Sequence, residues 1–183
     1  YIQSLDSYTT GVAFVTYYSD GTRQFIYHIS RAASGRVSGD QLDRDCLSRV
    51  RYLHIMGSTL SINGSWRERC YRAVEIVRES GGKISFDPNL RPELLSIERI
   101  REICSPILSS CEIVLPSGEE ARTLTGIEDI DRACRRLLEC GPKIVALKLG
   151  EEGSCVYVKE EKLEVPSFPV NEVDPTGAGD CFD

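Results

Sequence analysis

The sequence is poor in the residues and patterns on which several common functions rest. Only two histidines occur in 183 residues, so neither a His-rich zinc site nor a His-centred catalytic triad is supported. No apolar run approaches the roughly 18 residues that a membrane span requires, and the opening Tyr1-Ile2-Gln3-Ser4 lacks the charged and apolar regions of a signal peptide. There is no basic excess: the net charge is −6 and the 22 Lys and Arg residues are scattered. A phosphate-backbone binder needs a concentrated basic face, so nucleic acid is not an expected partner. Neither G-x-x-x-x-G-K-[ST] nor G-x-G-x-x-G occurs, which argues against the commonest nucleotide-binding loops. Eight cysteines stand at 46, 70, 104, 111, 134, 140, 155 and 181 without a C-x-x-C pair. Several fall inside apolar segments, so reduced thiols in a cytoplasmic protein are expected rather than a disulfide framework or a metal site.

What is present is 41% apolar content, enough for one α/β domain with a substantial core. Thr10 to Tyr18 and Thr22 to Ile29 are rich in β-branched and aromatic residues around Ser19-Asp20-Gly21, which reads as a hairpin and its turn. The small, polar stretch Arg31 to Gly39 reads as a loop. Apolar periodicity then alternates between strand runs at Tyr52–Met56, Lys83–Phe86, Glu112–Leu115 and Ile144–Leu149 and helical patterns at about 41–50, 65–80, 96–110 and 128–140. Ser96 is a plausible N-cap for the third helix, which Pro106 is expected to kink or shorten. Gly81-Gly82 and Gly141-Pro142 stand where helices should end. Cys155–Lys159 and Lys162–Val165 read as a second hairpin turning at Glu160-Glu161. Strand–helix alternation of this kind signals a largely parallel sheet covered by helices.

In such sheets, ligands collect beyond the carboxyl ends of the strands. Here those ends are Met56-Gly57-Ser58, Asp87-Pro88-Asn89-Leu90-Arg91, Pro116-Ser117-Gly118-Glu119-Glu120 and Lys148-Leu149-Gly150. Each strand delivers a polar or Gly-containing turn to one rim.

The most specific motif is Asp174-Pro175-Thr176-Gly177-Ala178-Gly179-Asp180. Its glycines let the backbone turn sharply and gather N–H groups at one point. With a helix starting near Ala178, those donors form an anion site. A carboxylate beside it makes sense as a base for an attacking hydroxyl while the donors stabilise a transferred phosphoryl group. The plainer reading is a Gly-rich strand-to-helix turn with Asp180 as a first-turn charge.

Asp174 to Asp180, with Cys181-Phe182 after it, closely resembles the C-terminal signature of ribokinase-like (PfkB-type) carbohydrate kinases. The resemblance implies Asp180 as catalytic base and Gly177, Ala178 and Gly179 as the anion hole. Ser85-Phe86-Asp87-Pro88-Asn89-Leu90-Arg91-Pro92 resembles the D-x-N-x-R turn of the fructokinase and 2-keto-3-deoxygluconate kinase branch, implying that Asp87, Asn89 and Arg91 meet substrate or phosphate. The alternative is an Asx turn closed by Pro88 with Arg91 solvated. Leu115-Pro116-Ser117-Gly118-Glu119-Glu120-Ala121 resembles the family's N-x-x-E region, implying that Glu120 organises Mg2+ through water. Ser117 stands at the asparagine position, on the nucleotide side; a Ser N-cap with first-turn acids would read the same. Lys148-Leu149-Gly150-Glu151-Glu152-Gly153 resembles a K-x-G-x-x-G turn, implying nucleotide contacts from Lys148, Gly150 and Gly153. The opening hairpin resembles the family's β lid, which places Tyr17, Tyr27 and His28 toward sugar or partner.

The resemblance therefore implies a ribokinase-like three-layer α/β/α fold with a mainly parallel sheet and a small β lid. Residues 1–39 would be lid and connecting loop, and residues 40–183 kinase core. The family's first strand, its N-terminal Gly/Asn-rich sugar site and all that follows position 183 are not in this sequence, so the fold is expected to be partial and the chain alone inactive. The implied activity is transfer of the ATP γ-phosphoryl group, with Mg2+, to a hydroxyl of a ketose or 2-keto-3-deoxy sugar acid. The alternatives are a nucleoside kinase of the same fold and a catalytically silent sugar-binding homologue. Its partners would be sugar, ATP and, at full length, a second copy met through the lid.

Overall fold

A computed structural model describes residues 4–19, 23–36, 42–171 and 173–183. Strands β1 (Val12–Tyr17) and β2 (Arg23–His28) form an antiparallel hairpin apart from the main sheet; Asp20, Gly21 and Thr22 at its expected turn lie outside the described residues. The 31–36 part of the expected loop contains a 3-10 turn at Ala33–Gly35, and residues 37–39 again lie outside. The Trp66 indole donates to Ser34 O (2.6 Å) and the Asn63 amide to Gly35 O (3.0 Å), fastening this segment to the core.

Thereafter come α1 (Arg44–Leu47), β3 (Tyr52–Met56), α2 (Gly57–Ile62), α3 (Gly64–Glu79), β4 (Lys83–Asp87), α4 (Ile97–Leu108), β5 (Ile113–Val114), α5 (Gly118–Thr125), α6 (Ile130–Glu139), β6 (Ile144–Lys148), β7 (Ser154–Val158), β8 (Glu161–Val165) and α7 (Ala178–Phe182). Six strands pair in chain order, β3-β4-β5-β6-β7-β8. The first three pairings are parallel and the last two antiparallel. Because each crossover steps the sheet in the same direction, right-handed crossovers place every connecting helix on the same face.

Burial follows that geometry. Ile84, Phe86, Val114, Val145, Leu147, Cys155 and Tyr157 point to the helices and are almost fully buried. The helices answer with stripes at helical spacing: Cys70, Ala73, Val74 and Val77 of α3, Ile100, Ile103, Cys104 and Ile107 of α4, and Ala133, Cys134 and Leu137 of α6. The opposite face carries His54, Ser85, Ile113, Ala146 and Val156, none of them fully buried. Of the expected second helical layer, the described residues supply the five-residue α7.

Side-chain caps fix the helix starts: Asn63 accepts from Trp66 N, Ser96 from Arg99 N, and Asp129 from Arg132 N. Helix α4 continues through Pro106 and ends two residues beyond it, at Leu108. Helix α1 is shorter than its pattern, and α2 and α5 are additional to the expected helices. All eight cysteines are free, and burial pushes the Cys104, Cys111 and Cys134 thiols up to about 12. Among the described residues, no helix is long and apolar enough to cross a membrane.

Gly57 marks the tightest approach between rim turns. A Cβ there would overlap the backbone carbonyl of Pro88, itself buried. Gly57→Ala in the full-length protein should therefore cost about 1–3 kcal/mol through overpacking, read as a lower denaturation midpoint. An unchanged midpoint would mean that β3 and β4 do not deliver their turns this closely.

Candidate active site

The carboxyl ends of β3 to β6 meet on the rim where the apolar strand runs stop. The β4 turn is held by Asp87, only 2% exposed. Its Oδ1 accepts from Asn89 N–H (3.1 Å), an Asx turn, and its Oδ2 from the Asn89 side-chain amide (3.3 Å). Asn89 adopts φ +35°, a left-handed conformation that asparagine tolerates better than most side chains.

The Lys148 ammonium stands 3.1 Å from Asp87 Oδ1 and 3.1 Å from Asp183 Oδ1, with side-chain exposures of 16%, 2% and 5% for the three residues. Burial pulls the Lys148 pKa down, but Asp87 and Asp183 outweigh it and hold the ammonium above its ordinary range. Burial, with Asp183 nearby, pushes the Asp87 carboxyl up against the opposing pull of Lys148. The Lys148 amide donates to Pro116 O (2.8 Å), and the residue bridges Ser117 across the rim.

Ser117 and Glu120 form a full capping box at the start of α5. Glu120 Oε2 accepts from Ser117 N–H (2.8 Å) and Ser117 Oγ–H (2.9 Å), while its Oε1 accepts from Leu90 N–H (2.9 Å). The same carboxylate thus caps α5 and fixes the backbone one residue before Arg91. Gly150 (φ +59°) and Gly153 (φ +98°) shape the β6–β7 turn, and a Cβ on Gly153 would strike Val165 O.

Asp174 Oδ1 accepts from Thr176 N–H (2.9 Å), and the chain then turns through Gly177 at φ +82° into α7. The Ala178 amide donates to Pro175 O (3.1 Å), whereas Gly177 N–H and Gly179 N–H have no protein acceptor among the described residues. Asp180 is exposed on the first turn. The Tyr17 hydroxyl reaches this turn from the lid, 3.2 Å from Asp174 Oδ1 and 2.9 Å from Thr176 Oγ1. His54 Nδ1 lies 2.9 Å from Ser85 Oγ. Burial lowers the His54 pKa, helped by Lys148 and opposed by Asp87 and Asp180.

Beside this rim lies a cavity of about 490 Å³ lined by Tyr27, Ile29, Ser30, Ser58, Thr59, Ser61, Ile62, Arg91, Leu94 and Leu95. The Arg91 guanidinium sits 5.8 Å from the Tyr27 ring centroid and donates once to Leu90 O. The structure thus brings Asp87, Lys148, Ser117 and Glu120 together with α7. Arg91 faces the cavity, whose wall does not include Asp180, Glu120 or Lys148. Sequence reasoning missed His54 and Asp183. The alternation Tyr52-x-His54-x-Met56 marks His54 as a neighbour of Ser85 once the register is known.

The sequence pattern of the pfkB family of carbohydrate kinases matches residues 1–182. A fructokinase of Zea mays is 36% identical over 175 residues, covering 94% of this chain and 54% of the relative. An E. coli ribokinase II-like protein, solved with ATP and Mg2+, superposes with a TM-score of 0.86 at 42% identity, covering 96% of this chain and 56% of the other. The aminoimidazole riboside kinase of Salmonella enterica, solved with aminoimidazole riboside and an ATP analogue, gives 0.75 at 27% identity, over 85% and 52%. The chain spans about half the length of the curated relatives it matches.

Glu120 offers a direct check of the rim. Its carboxylate accepts three bonds, and a glutamine would turn an NH2 group toward donors. Glu120→Gln should therefore cost about 1–3 kcal/mol of stability in full-length protein measured without nucleotide or metal. If stability is unchanged under those conditions, the carboxylate does not tie the two turns.

Proposed function

Because the chain belongs to the pfkB family of carbohydrate kinases, we propose that the full-length protein phosphorylates a ketose or a 2-keto-3-deoxy sugar acid from ATP. The observation that carries this reading is the Gly177 turn, which sets two unengaged amides beside an exposed carboxylate, Asp180. Donors for a transferring phosphoryl group and a base for an attacking hydroxyl are the two requirements of this reaction.

Asp180 takes the proton of the sugar hydroxyl as it attacks, and Gly177 N–H and Gly179 N–H, with Ala178 in the turn between them, stabilise charge on the transferred group. Asn89 shapes the turn that aims Arg91, which presents its guanidinium to the substrate from the cavity wall. Bound ATP supplies the phosphoryl group, and Mg2+ neutralises its charge. Among the described residues no group of three His, Cys, Asp or Glu side chains could hold a metal, and the Glu120 oxygens are engaged with Leu90 and Ser117. Glu120 would therefore organise Mg2+ through water rather than as a direct ligand. Gly150 and Gly153 form the turn on the nucleotide side, where Ser117 is also placed.

The cavity favours a substrate with an anionic or polyhydroxyl group. Arg91 has donors beyond its bond to Leu90 O, and Ser30, Ser58, Thr59 and Ser61 add hydroxyls. A nucleoside acceptor is the second reading, favoured by the aromatic Tyr27 ring on the cavity wall. A catalytically silent homologue gives Asp180 no chemical purpose. On the hairpin, Val12, Phe14 and Ile26 are exposed on one face, which fits a second copy meeting this one through the lid; sedimentation of full-length protein as a monomer would exclude it.

Kinetics of two variants test the reading against a panel of ketoses, sugar acids and nucleosides. Asp180→Asn should lower kcat by several orders of magnitude with ATP binding largely intact. Arg91→Lys should be clearly impaired, because an ammonium lacks the planar fork. Near-normal turnover in the Asp180 variant would remove it as the base, and an unimpaired Arg91→Lys would make Arg91 a solvated turn charge.

A further inference from the structure

We infer that Lys148 and Asp87 are positioning residues: their buried ion pair, extended through Asp183, ties helix α7 and its anion-binding turn to the β4 turn that aims Arg91. This rests on the phosphoryl-transfer reading above and departs from the ligand contacts expected of both residues.

Neither side chain lines the cavity beside the rim. Asp87 is 2% exposed, its Oδ1 is shared by Lys148 and Asn89 N–H, and its Oδ2 receives the Asn89 amide. Lys148 turns its ammonium inward, where Asp87 Oδ1 and Asp183 Oδ1 each lie 3.1 Å away and Asp183 Oδ2 lies 3.5 Å away. A buried carboxylate with such partners is expensive to lose and poorly placed to bind sugar.

Helix α7 is held from the rim. The Asp183 carboxylate reaches the Lys148 ammonium, and an added Cβ on Gly179 would lie 3.9 Å from Nζ, so the ammonium also lies against the turn that carries the anion-hole amides. Its own backbone is pinned to Pro116 and Ser117. One residue thus joins the β4 turn and α7 through its side chain and the β5 turn through its backbone, the three pieces whose relative placement sets where base, anion donors and Arg91 meet.

The test compares Lys148→Met, Lys148→Arg, Asp183→Asn and the Met/Asn double variant in full-length protein. A tether predicts that Lys148→Met lowers kcat about 30-fold while KM for ATP and for sugar stays within about twofold. Lys148→Arg should recover most of kcat, and Asp183→Asn should add nothing in the Met background, since both remove one interaction. A tenfold or larger rise in KM for ATP with kcat retained would overturn the inference and make Lys148 a nucleotide contact; additive effects would also overturn it. Hydrogen exchange of the 178–182 amides gives an arm independent of turnover: protection should fall in Lys148→Met and in the milder Asp183→Asn, and persist in Lys148→Arg. Unaltered protection in all three sinks the tether. Wild-type protein that releases no ADP with any sugar would refute the kinase reading, while the exchange arm would still decide the tether.

Discussion

In-register pairing of β3 through β6 commits alternate residues of four strands to opposite sides of one sheet, and that alternation separates core from chemistry. Phe86 faces the helices while Ser85 and Asp87, its neighbours in β4, face the other way beside His54 and Lys148. A slip of one residue would turn Ser85 and Asp87 into the helix interface and Phe86 and Ile84 out of it. The buried apolar row from Ile84 to Tyr157 thus fixes the register, and the register fixes which polar side chains gather. Chain-order pairing adds the second half of the constraint, since it sends all crossover helices to one face and leaves the other for α7 and its partners.

At the rim the decisive balance is electrostatic. Removing Asp87 from water costs several kcal/mol unless it is paired and hydrogen-bonded; Lys148 and two donors from Asn89 meet that requirement. Those bonds also hold Asn89 in its left-handed conformation, a strained choice for most side chains. On the far side of Arg91's approach, Glu120 holds the Leu90 amide. A turn gripped at both ends by carboxylate bonds leaves the backbone before Arg91 little freedom in direction.

The strands were legible because each apolar run stops at a polar or Gly-containing turn: β3 spans Tyr52–Met56 as its pattern suggests, and β4 gains only Asp87. Helices α3, α4 and α6 were legible from apolar spacing, α4 also from Ser96 before it, whereas the Asn63 and Asp129 caps showed only in the structure. Helix α2 was not, because Gly57-Ser58-Thr59 is poor in helix propensity and its stability comes from Leu60 packed into the core. Helix α5 showed itself only through its cap, Ser117 with Glu120. The motif residues could be named from the chain alone, but their bonds could not. That Lys148 turns toward Asp87 and Asp183 depends on pairing between segments 30 or more residues apart in sequence, and periodicity carries no information about such partners.

The lid shows how differently two parts of one chain are held. Tyr17 and Tyr27 lie on the same side of the hairpin, Tyr17 pairing with Arg23 and Tyr27 with Ala13. The contact of Tyr17 with Asp174 and Thr176 and that of Tyr27 with Arg91 are therefore made by one face. The Tyr17 bonds are exposed and the Tyr27 contact is a partly exposed cation–ring approach, so each is worth about 1 kcal/mol against water, far less than the apolar burial that fixes β4. Because both contacts share a face, one hairpin surface touches the cavity wall and the Asp174–Thr176 turn together. The rim is tied by burial and ion pairing, the hairpin by partly exposed polar contacts and by the Trp66 and Asn63 bonds to the segment behind it.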